Sequence, residues 1–209
     1  MHTTEHEYKR LLTPEEYTTL LTKLDSIAVC RPYVQVNYYY DDEVFSLNEK
    51  GETLRVRQQL DKLTLERKFH RRYSQEGERI CEESSEPIQR LPAKISIENQ
   101  EYRYIGNLVT TRRDYTIEKN TVSLDVSYYL GRVDYELEIE SKEEVVLPEF
   151  LREMIDGRAR PDGKYTRFMR ALQKMERQMT ERNSYGDLDF CLNPGSFPVY
   201  KIYSQYYHL

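Results

Sequence analysis

The segment Asp134-Tyr135-Glu136-Leu137-Glu138-Ile139-Glu140 alternates carboxylate with apolar side chains. In a β-strand, Glu136, Glu138 and Glu140 then share one face and Leu137 and Ile139 the other. Like charges about 7 Å apart along a strand repel one another unless water, basic side chains or a cation lie opposite. Seen alone, such a run most often marks a solvated face. Near the start of the chain, however, Glu5-His6-Glu7-Tyr8-Lys9 repeats the alternation, with Glu5, Glu7 and Lys9 on one face. Two carboxylate rows in one domain suit hard divalent cations such as Mg²⁺ or Mn²⁺, which take carboxylate oxygens and share them with substrate phosphates. The spacing therefore points to a chamber for metal and phosphate.

Strands must position these rows, and the chain supplies them. Val34 to Asp41 alternates, with Gln35, Asn37, Tyr39 and Asp41 on one face, and Leu54-Arg55-Val56-Arg57 aligns two guanidiniums opposite Leu54 and Val56. Leu63 to His70 reads as a fourth strand, running into the basic stretch Lys68 to Arg72, and Glu78 to Glu83 as a fifth after a hairpin turn at Ser74-Gln75-Glu76-Gly77. Tyr102 to Thr116 and Thr121 to Leu130 follow, and Gly131-Arg132 turns the chain into the carboxylate row, which makes eight strands. Between them, Thr13-Pro14-Glu15-Glu16 predicts a helix start with Thr13 as N-cap, Pro14 at the first position and Glu16 closing a capping box. Glu86 to Leu91 is expected as a short helix, Glu149 to Ile155 as another, and Lys164 to about Arg182 as a longer amphipathic one. Hairpin-connected strands of this kind pair antiparallel, and eight can close a barrel. A charged face turned inward makes the barrel a wet tunnel whose apolar outside the helices cover.

Composition excludes several classes. The chain has 209 residues, enough for one domain with a sizeable core. Net charge is −5 with 32% charged residues, so neither a nucleic-acid-binding excess nor a disordered composition is present. No apolar run reaches the ~18 residues needed to span a membrane, and the charged start does not resemble a secretory signal, which places the protein in the cytoplasm. Cys30, Cys81 and Cys191 lack zinc-like spacing, His2, His6, His70 and His208 lack metal or triad spacing, and neither a P-loop nor a dinucleotide fingerprint occurs. Beyond Asn183 the composition turns to Tyr, Pro, Asn and Gly, so residues 183–209 read as an irregular tail on a domain of residues 1–182.

Taken in order, Glu5-x-Glu7-x-Lys9, Tyr39-Tyr40-Asp41, Leu54-Arg55-Val56-Arg57, Leu63-Thr64-Leu65, and Leu124-Asp125 through Gly131 to Tyr135–Glu140 resemble the CYTH, or triphosphate tunnel metalloenzyme, superfamily. That superfamily includes thiamine triphosphatases, inorganic triphosphatases and class IV adenylyl cyclases, and the pattern is most similar to the CYTH proteins of Gram-positive bacteria. The resemblance covers about residues 1–180. It implies an α+β fold built on an eight-stranded antiparallel tunnel with flanking helices, a Mg²⁺ or Mn²⁺ cofactor, and a small triphosphate-bearing substrate along the bore. Carried over, it makes Glu5, Glu7, Glu136, Glu138 and Glu140 metal ligands, and Lys9, Arg55, Arg57, Arg112 and Lys164 phosphate-binding cations. Glu136, Glu138 and Lys9 then stand nearest catalysis. The chain departs from the family in its fourth strand, where Glu66 follows Leu-Thr-Leu in place of the usual lysine and Lys68 stands two residues on, on the same face. Lys68 is expected to do that lysine's work. The activity expected is metal-dependent hydrolysis of inorganic triphosphate or a related small triphosphate. A class IV-type adenylyl cyclase and a non-catalytic polyphosphate- or nucleotide-binding module are the alternatives, and oligomeric state is left open.

Overall fold

Alternation of polar and apolar side chains commits most of the chain to strands with two distinct faces. A computed structural model describes residues 6–73, 79–141, 147–155 and 160–184. The strands are β1 (His6–Leu12), β2 (Tyr33–Asp41), β3 (Thr53–Gln59), β4 (Lys62–Tyr73), β5 (Arg79–Ile88), β6 (Lys94–Ile97), β7 (Gln100–Ile117), β8 (Asn120–Tyr129) and β9 (Arg132–Ser141). They form one antiparallel sheet in the order β1-β9-β8-β7-β2-β3-β4-β5, with β6 added beside β7. The helices are α1 (Pro14–Ile27), α2 (Ser46–Glu49), α3 (Glu149–Ile155) and α4 (Lys164–Ser184). Residues Met1–Phe168 make up one compact unit, and Met169–Leu209 a second whose described part continues α4.

One face of the sheet is the core. Leu12, Val122, Leu124, Leu137 and Ile139 pack with Leu20 and Leu24 of α1 and Leu151 of α3, while Leu54, Val56, Ile95, Tyr40 and Tyr102 gather around Leu47 of α2. Each such aliphatic side chain contributes about 1.5–3 kcal/mol on burial. The other face is polar, yet Gln35, Asn37, Thr110, Ser123, Asp125, Ser127, Glu136 and Glu138 are buried too. A polar face is hidden in this way when the sheet curls around it, and the result is the expected tunnel. Hydrogen bonds do not close it among the described residues, since β1 and β5 end the path.

The capping box is present, with Thr13 Oγ1 accepting from the Glu16 amide at 3.1 Å and the Thr13 amide donating to Glu16 Oε2 at 2.9 Å. The α3 boundaries also match expectation. Glu86–Leu91 does not form a helix. Leu65 and Leu63 of β4 pair with Glu86 and Ile88, so β5 runs on to Ile88, and Pro87 is tolerated because β5 ends the sheet path and its missing N–H interrupts no second ladder. Among the described residues four-residue β6 makes the strands nine, not eight, and the short helix α2 lies between β2 and β3. The turn into β9 is centred on Leu130 and Gly131, both at positive φ (46° and 72°), one residue earlier than expected. The hairpin turn at 74–77 and the tail beyond Ser184 lie outside the described residues.

Gly106 on β7 has φ 149°, and a Cβ added there would meet Phe168 Cζ at 2.6 Å. That ring cannot easily retreat, being buried between Tyr39 and Tyr129 at centroid distances of 5.0 and 6.3 Å. Gly106→Ala should therefore cost about 2–4 kcal/mol through strain and overpacking. At Gly163, whose Cβ position is open, alanine should be close to neutral. Urea unfolding midpoints of the two variants measure the contrast.

Candidate functional site

Strand register brings the two carboxylate rows together. On β1 and β9, Glu7 lies opposite Glu140, Lys9 opposite Glu138 and Leu11 opposite Glu136. On β8, Asp125 faces Glu136 across the ladder, and Arg112 on β7 pairs in turn with Asp125. The first turn of α4 then adds Lys164 and, three residues on, Arg167.

Lys164 is the centre of the resulting network. Its Nζ is 2.6 Å from Glu138 Oε1, 2.9 Å from Asp125 Oδ2 and 3.0 Å from Glu136 Oε2. Arg112 grips Asp125 through two parallel bonds, Nε to Oδ1 at 2.8 Å and Nη2 to Oδ2 at 2.6 Å, and also reaches Glu138. Lys9 Nζ lies 3.3 Å from Glu138 Oε1. Arg167 donates through Nη2 to Glu136 Oε2 at 2.6 Å and through Nε to Asp134 Oδ2 at 2.9 Å, and the Tyr129 hydroxyl donates to the same Asp134 oxygen at 2.6 Å. Asp125 and Glu136 are wholly buried and Glu138 nearly so. Burial alone would raise the Glu138 pKa, but the charges of Lys164, Lys9 and Arg112 overcome it and hold the carboxyl well below its usual range. Burial likewise works against the Lys164 ammonium, and Glu138, Asp125 and Glu136 hold its pKa above the ordinary lysine value. Asp125, Asp134, Glu136 and Glu138 are thus matched by Lys9, Arg112, Lys164 and Arg167, and the network balances its own charge.

A second group lines the same face further round the sheet. Arg55 binds Glu66 Oε2 through Nε at 2.8 Å and Nη2 at 2.7 Å, and Arg57 Nη1 lies 3.6 Å from Glu66 Oε1. Arg57 also donates to Asn37 Oδ1 at 3.3 Å. Burial and repulsion from Arg55 lower the Arg57 pKa, with Glu66 opposing and Arg112 adding to the repulsion. Glu66 therefore serves as the counter-ion of two guanidiniums. Lys68, half-exposed on the same strand face, pairs instead with Glu83 at 2.5 Å. Burial opposes the Glu83 charge, but the hydrogen bond and charge of Lys68, with Arg55 and Arg57 behind it, hold that carboxyl below its usual range.

Lys9, Arg112, Glu136, Glu138 and Lys164 thus converge, while Arg55, Arg57 and Lys68 form an adjoining group and Glu140 is half-buried on β9. Glu5 and the Glu7 side chain lie outside the described residues. Sequence reasoning missed Arg167 and Asp134 and left Asp125 undecided between bore and structural duty. Arg167 was findable, because i and i+3 share a helix face and Lys164 was already in hand. Asp41 accepts from the Leu47 and Asn48 amides and from Tyr165, which ties α2 to β2.

The CYTH domain family model matches residues 3–167. This chain belongs to the CYTH family. YjbK of Bacillus subtilis (strain 168), provisionally named a triphosphatase, is 29% identical over 148 residues, covering 66% of this chain and 77% of its own. Two solved CYTH-like structures share the fold with TM-scores of 0.61. One, from Bacillus halodurans and provisionally named an adenylate cyclase, is 24% identical and covers 78% of this chain and 96% of that one. The other, HpAC1 from Hippeastrum, described as an adenylyl cyclase by provisional name with a dominant triphosphatase activity, is 22% identical and covers 79% and 95%.

A CYTH tunnel implies a divalent metal, and the donor chemistry here fits one. Carboxylate oxygens are hard ligands, and Glu136 Oε1 is buried without a hydrogen-bond partner. Among the described residues no three such groups form a ready-made metal cage. The Lys164 ammonium stands between Asp125, Glu136 and Glu138.

Wholly buried Asp125 neutralises two partly buried cations at once, so Asp125→Asn should destabilise the metal-free protein by about 3 kcal/mol, the lower end of the usual cost of breaking a buried pair from one side. Urea denaturation at neutral pH checks the figure. A change under 1 kcal/mol would mean that Glu136 and Glu138 suffice for Lys164 and Arg112.

Proposed function

We propose that this CYTH protein hydrolyses inorganic triphosphate or a related small triphosphate, bound along the tunnel with Mg²⁺ or Mn²⁺. The observation that carries the reading is the enclosed polar face, on which Lys9, Arg112 and Lys164 stand against buried carboxylates and Arg55 and Arg57 adjoin them. YjbK's provisional name agrees with it. The tunnel domain is taken as residues 1–182, with 183–209 a separate tail.

In this reading Lys9, Arg55, Arg57, Lys68, Arg112 and Lys164 bind phosphoryl oxygens, the arginines by their forked donors. Glu136, Glu138 and Glu140, joined by Glu5 and Glu7, would hold the metal, and Glu136 Oε1 is buried with no hydrogen-bond partner. When bound, the metal neutralises phosphate charge and polarises water. Water oxygen joins the terminal phosphorus as the bridging P–O bond breaks, releasing phosphate and pyrophosphate. The bore's cations stabilise the charge spread over the equatorial oxygens in a loose transition state, and its walls hold the chain in line.

The internal ion pairs add a condition. The bore's cations are held by carboxylates, so phosphate would compete with the carboxylates for the cations and a metal would compete with the cations for the carboxylates. Triphosphate and metal should therefore bind cooperatively. Lys164→Met should bind Mn²⁺ alone about tenfold more tightly than the parent, since one competing charge has gone, while losing triphosphate affinity. Paramagnetic resonance of free Mn²⁺ reads the first effect and calorimetry the second; unchanged Mn²⁺ affinity would discard the competition.

Incubation with Mg²⁺ or Mn²⁺ and either triphosphate or ATP, with assays for phosphate, pyrophosphate and cyclic AMP, tests the function itself. Phosphate from triphosphate is expected. Cyclic AMP would indicate the cyclase instead, and binding without turnover the non-catalytic module. Glu138→Gln keeps volume and removes charge, so metal-dependent turnover, assayed at a temperature where circular dichroism shows the variant folded, should fall by at least about a hundredfold. Near-parental turnover would remove Glu138 from the metal site.

A further inference from the structure

Glu66 of β4 stands directly across the ladder from Arg55 of β3 and on the diagonal from Arg57. Two nitrogens of Arg55 hold its Oε2 at 2.7 and 2.8 Å, and Arg57 Nη1 lies 3.6 Å from its Oε1. Arg55, Arg57 and Glu66 keep 25%, 31% and 21% of their side-chain surface exposed, so a ligand can reach the cluster. Its charge is not balanced as it is around Lys164, because one carboxylate here answers two guanidiniums. Lys68 changes nothing in that count, being paired with Glu83. The cluster is left with a single positive charge.

That charge bears on which end group fits. In the triphosphate reading the phosphoryl to be released lies with the metal beside Glu136 and Glu138. The far end of the substrate then lies toward Arg55 and Arg57, whose group adjoins theirs through the repulsion between Arg57 and Arg112. A terminal phosphoryl group carries about −1.5 to −2 charges at neutral pH. A phosphoryl group bridged on one side and esterified on the other carries only one. Half-enclosed charges are tolerated best when they cancel. One positive charge cancels an esterified phosphoryl group, whereas a terminal one leaves negative charge in excess beside the Glu66 carboxylate.

We propose that Glu66 is a specificity-determining residue: by leaving the Arg55–Arg57 subsite one positive charge, it selects an organic triphosphate, whose far phosphoryl group is esterified, over inorganic triphosphate. The assignment rests on the triphosphate reading above and chooses among the substrates that reading admits. Discrimination here is a difference between two affinities, and Glu66 supplies its repulsive part.

Glu66→Gln keeps the side chain's shape and its acceptor for Arg55, and gives the cluster a second net positive charge. Two probes that resist hydrolysis, imido-bridged inorganic triphosphate and its methyl ester, are compared by calorimetry in the presence of Mg²⁺. The parent should bind the methyl ester about fivefold or more tightly than the inorganic compound, and Glu66→Gln should move that ratio about tenfold toward the inorganic compound. Glu66→Asp, which retains the charge, should keep the parent's preference. Glu52→Gln is the control for a change in overall charge. Glu52, 18% exposed, pairs at 2.9 Å with Arg67, which follows Glu66 on β4 and so faces the other side of the sheet. Its loss should leave the ratio within about twofold of the parent's. A counter-ion with only a structural role would, when neutralised, alter both affinities alike. An unmoved ratio in Glu66→Gln therefore overturns the assignment, as does loss of both affinities in that variant or a parent that prefers the inorganic compound. In each of those cases the parent still binds and the triphosphate reading stands; a parent that binds neither probe removes that reading, and the assignment with it.

Discussion

The arrangement depends on one ammonium group held among three buried carboxylates. Without Lys164, Asp125, Glu136 and Glu138 would crowd negative charge into a space from which solvent is largely excluded, and such charges are tolerated only when paired and hydrogen-bonded. The need for a counter-charge explains why the first turn of α4 belongs to the tunnel's unit. It explains equally why Arg167 follows one turn later, sharing Glu136 Oε2 with Lys164 and holding Asp134 as well. The same lysine is stable as a cation because of the carboxylates around it, so acid and base each set the other's state.

Seen from the ligand's side, a charge-balanced tunnel differs from an electropositive cleft. A cleft with spare cations attracts any polyanion and gains affinity at once. Here each described cation of the two groups already has an anion within the protein, down to Lys68 with Glu83 and Arg55 with Glu66. Binding energy is the difference between two sets of good ion pairs, and differences of that kind favour selectivity over strength. Glu66 makes the point locally, since any phosphoryl group approaching Arg55 must compete with a carboxylate already engaged through two nitrogens.

Much of this could be read from the residues. Alternation put Glu136 and Glu138 on one face and Leu137 and Ile139 on the other, as burial among the core residues of α1 and α3 bears out. Local capping chemistry gave Thr13 and Glu16. What escaped were features settled by neighbours distant in sequence. Glu86 to Ile88 could not be recognised as strand without knowing that β4 lay beside it, and four-residue β6 carries too short a pattern to register. Asp125 was left undecided for a related reason. Periodicity shows which way a side chain faces, but only register shows what stands opposite.

Pairing of β1 with β9 has a consequence for how the protein is made. The Lys9–Glu138 contact joins residues 129 positions apart, so β1 has no partner until β9 has left the ribosome. Lys164 emerges later still. At about 5–20 residues per second, seconds pass in which the early strands wait with exposed edges and the carboxylates of β9 lack their central counter-ion. The unit can complete itself only when the start of α4 arrives, which makes the residue that balances the site also the one that ends its assembly. A nascent chain stalled before Lys164 would carry every strand of the tunnel and still lack the cation that joins Asp125, Glu136 and Glu138.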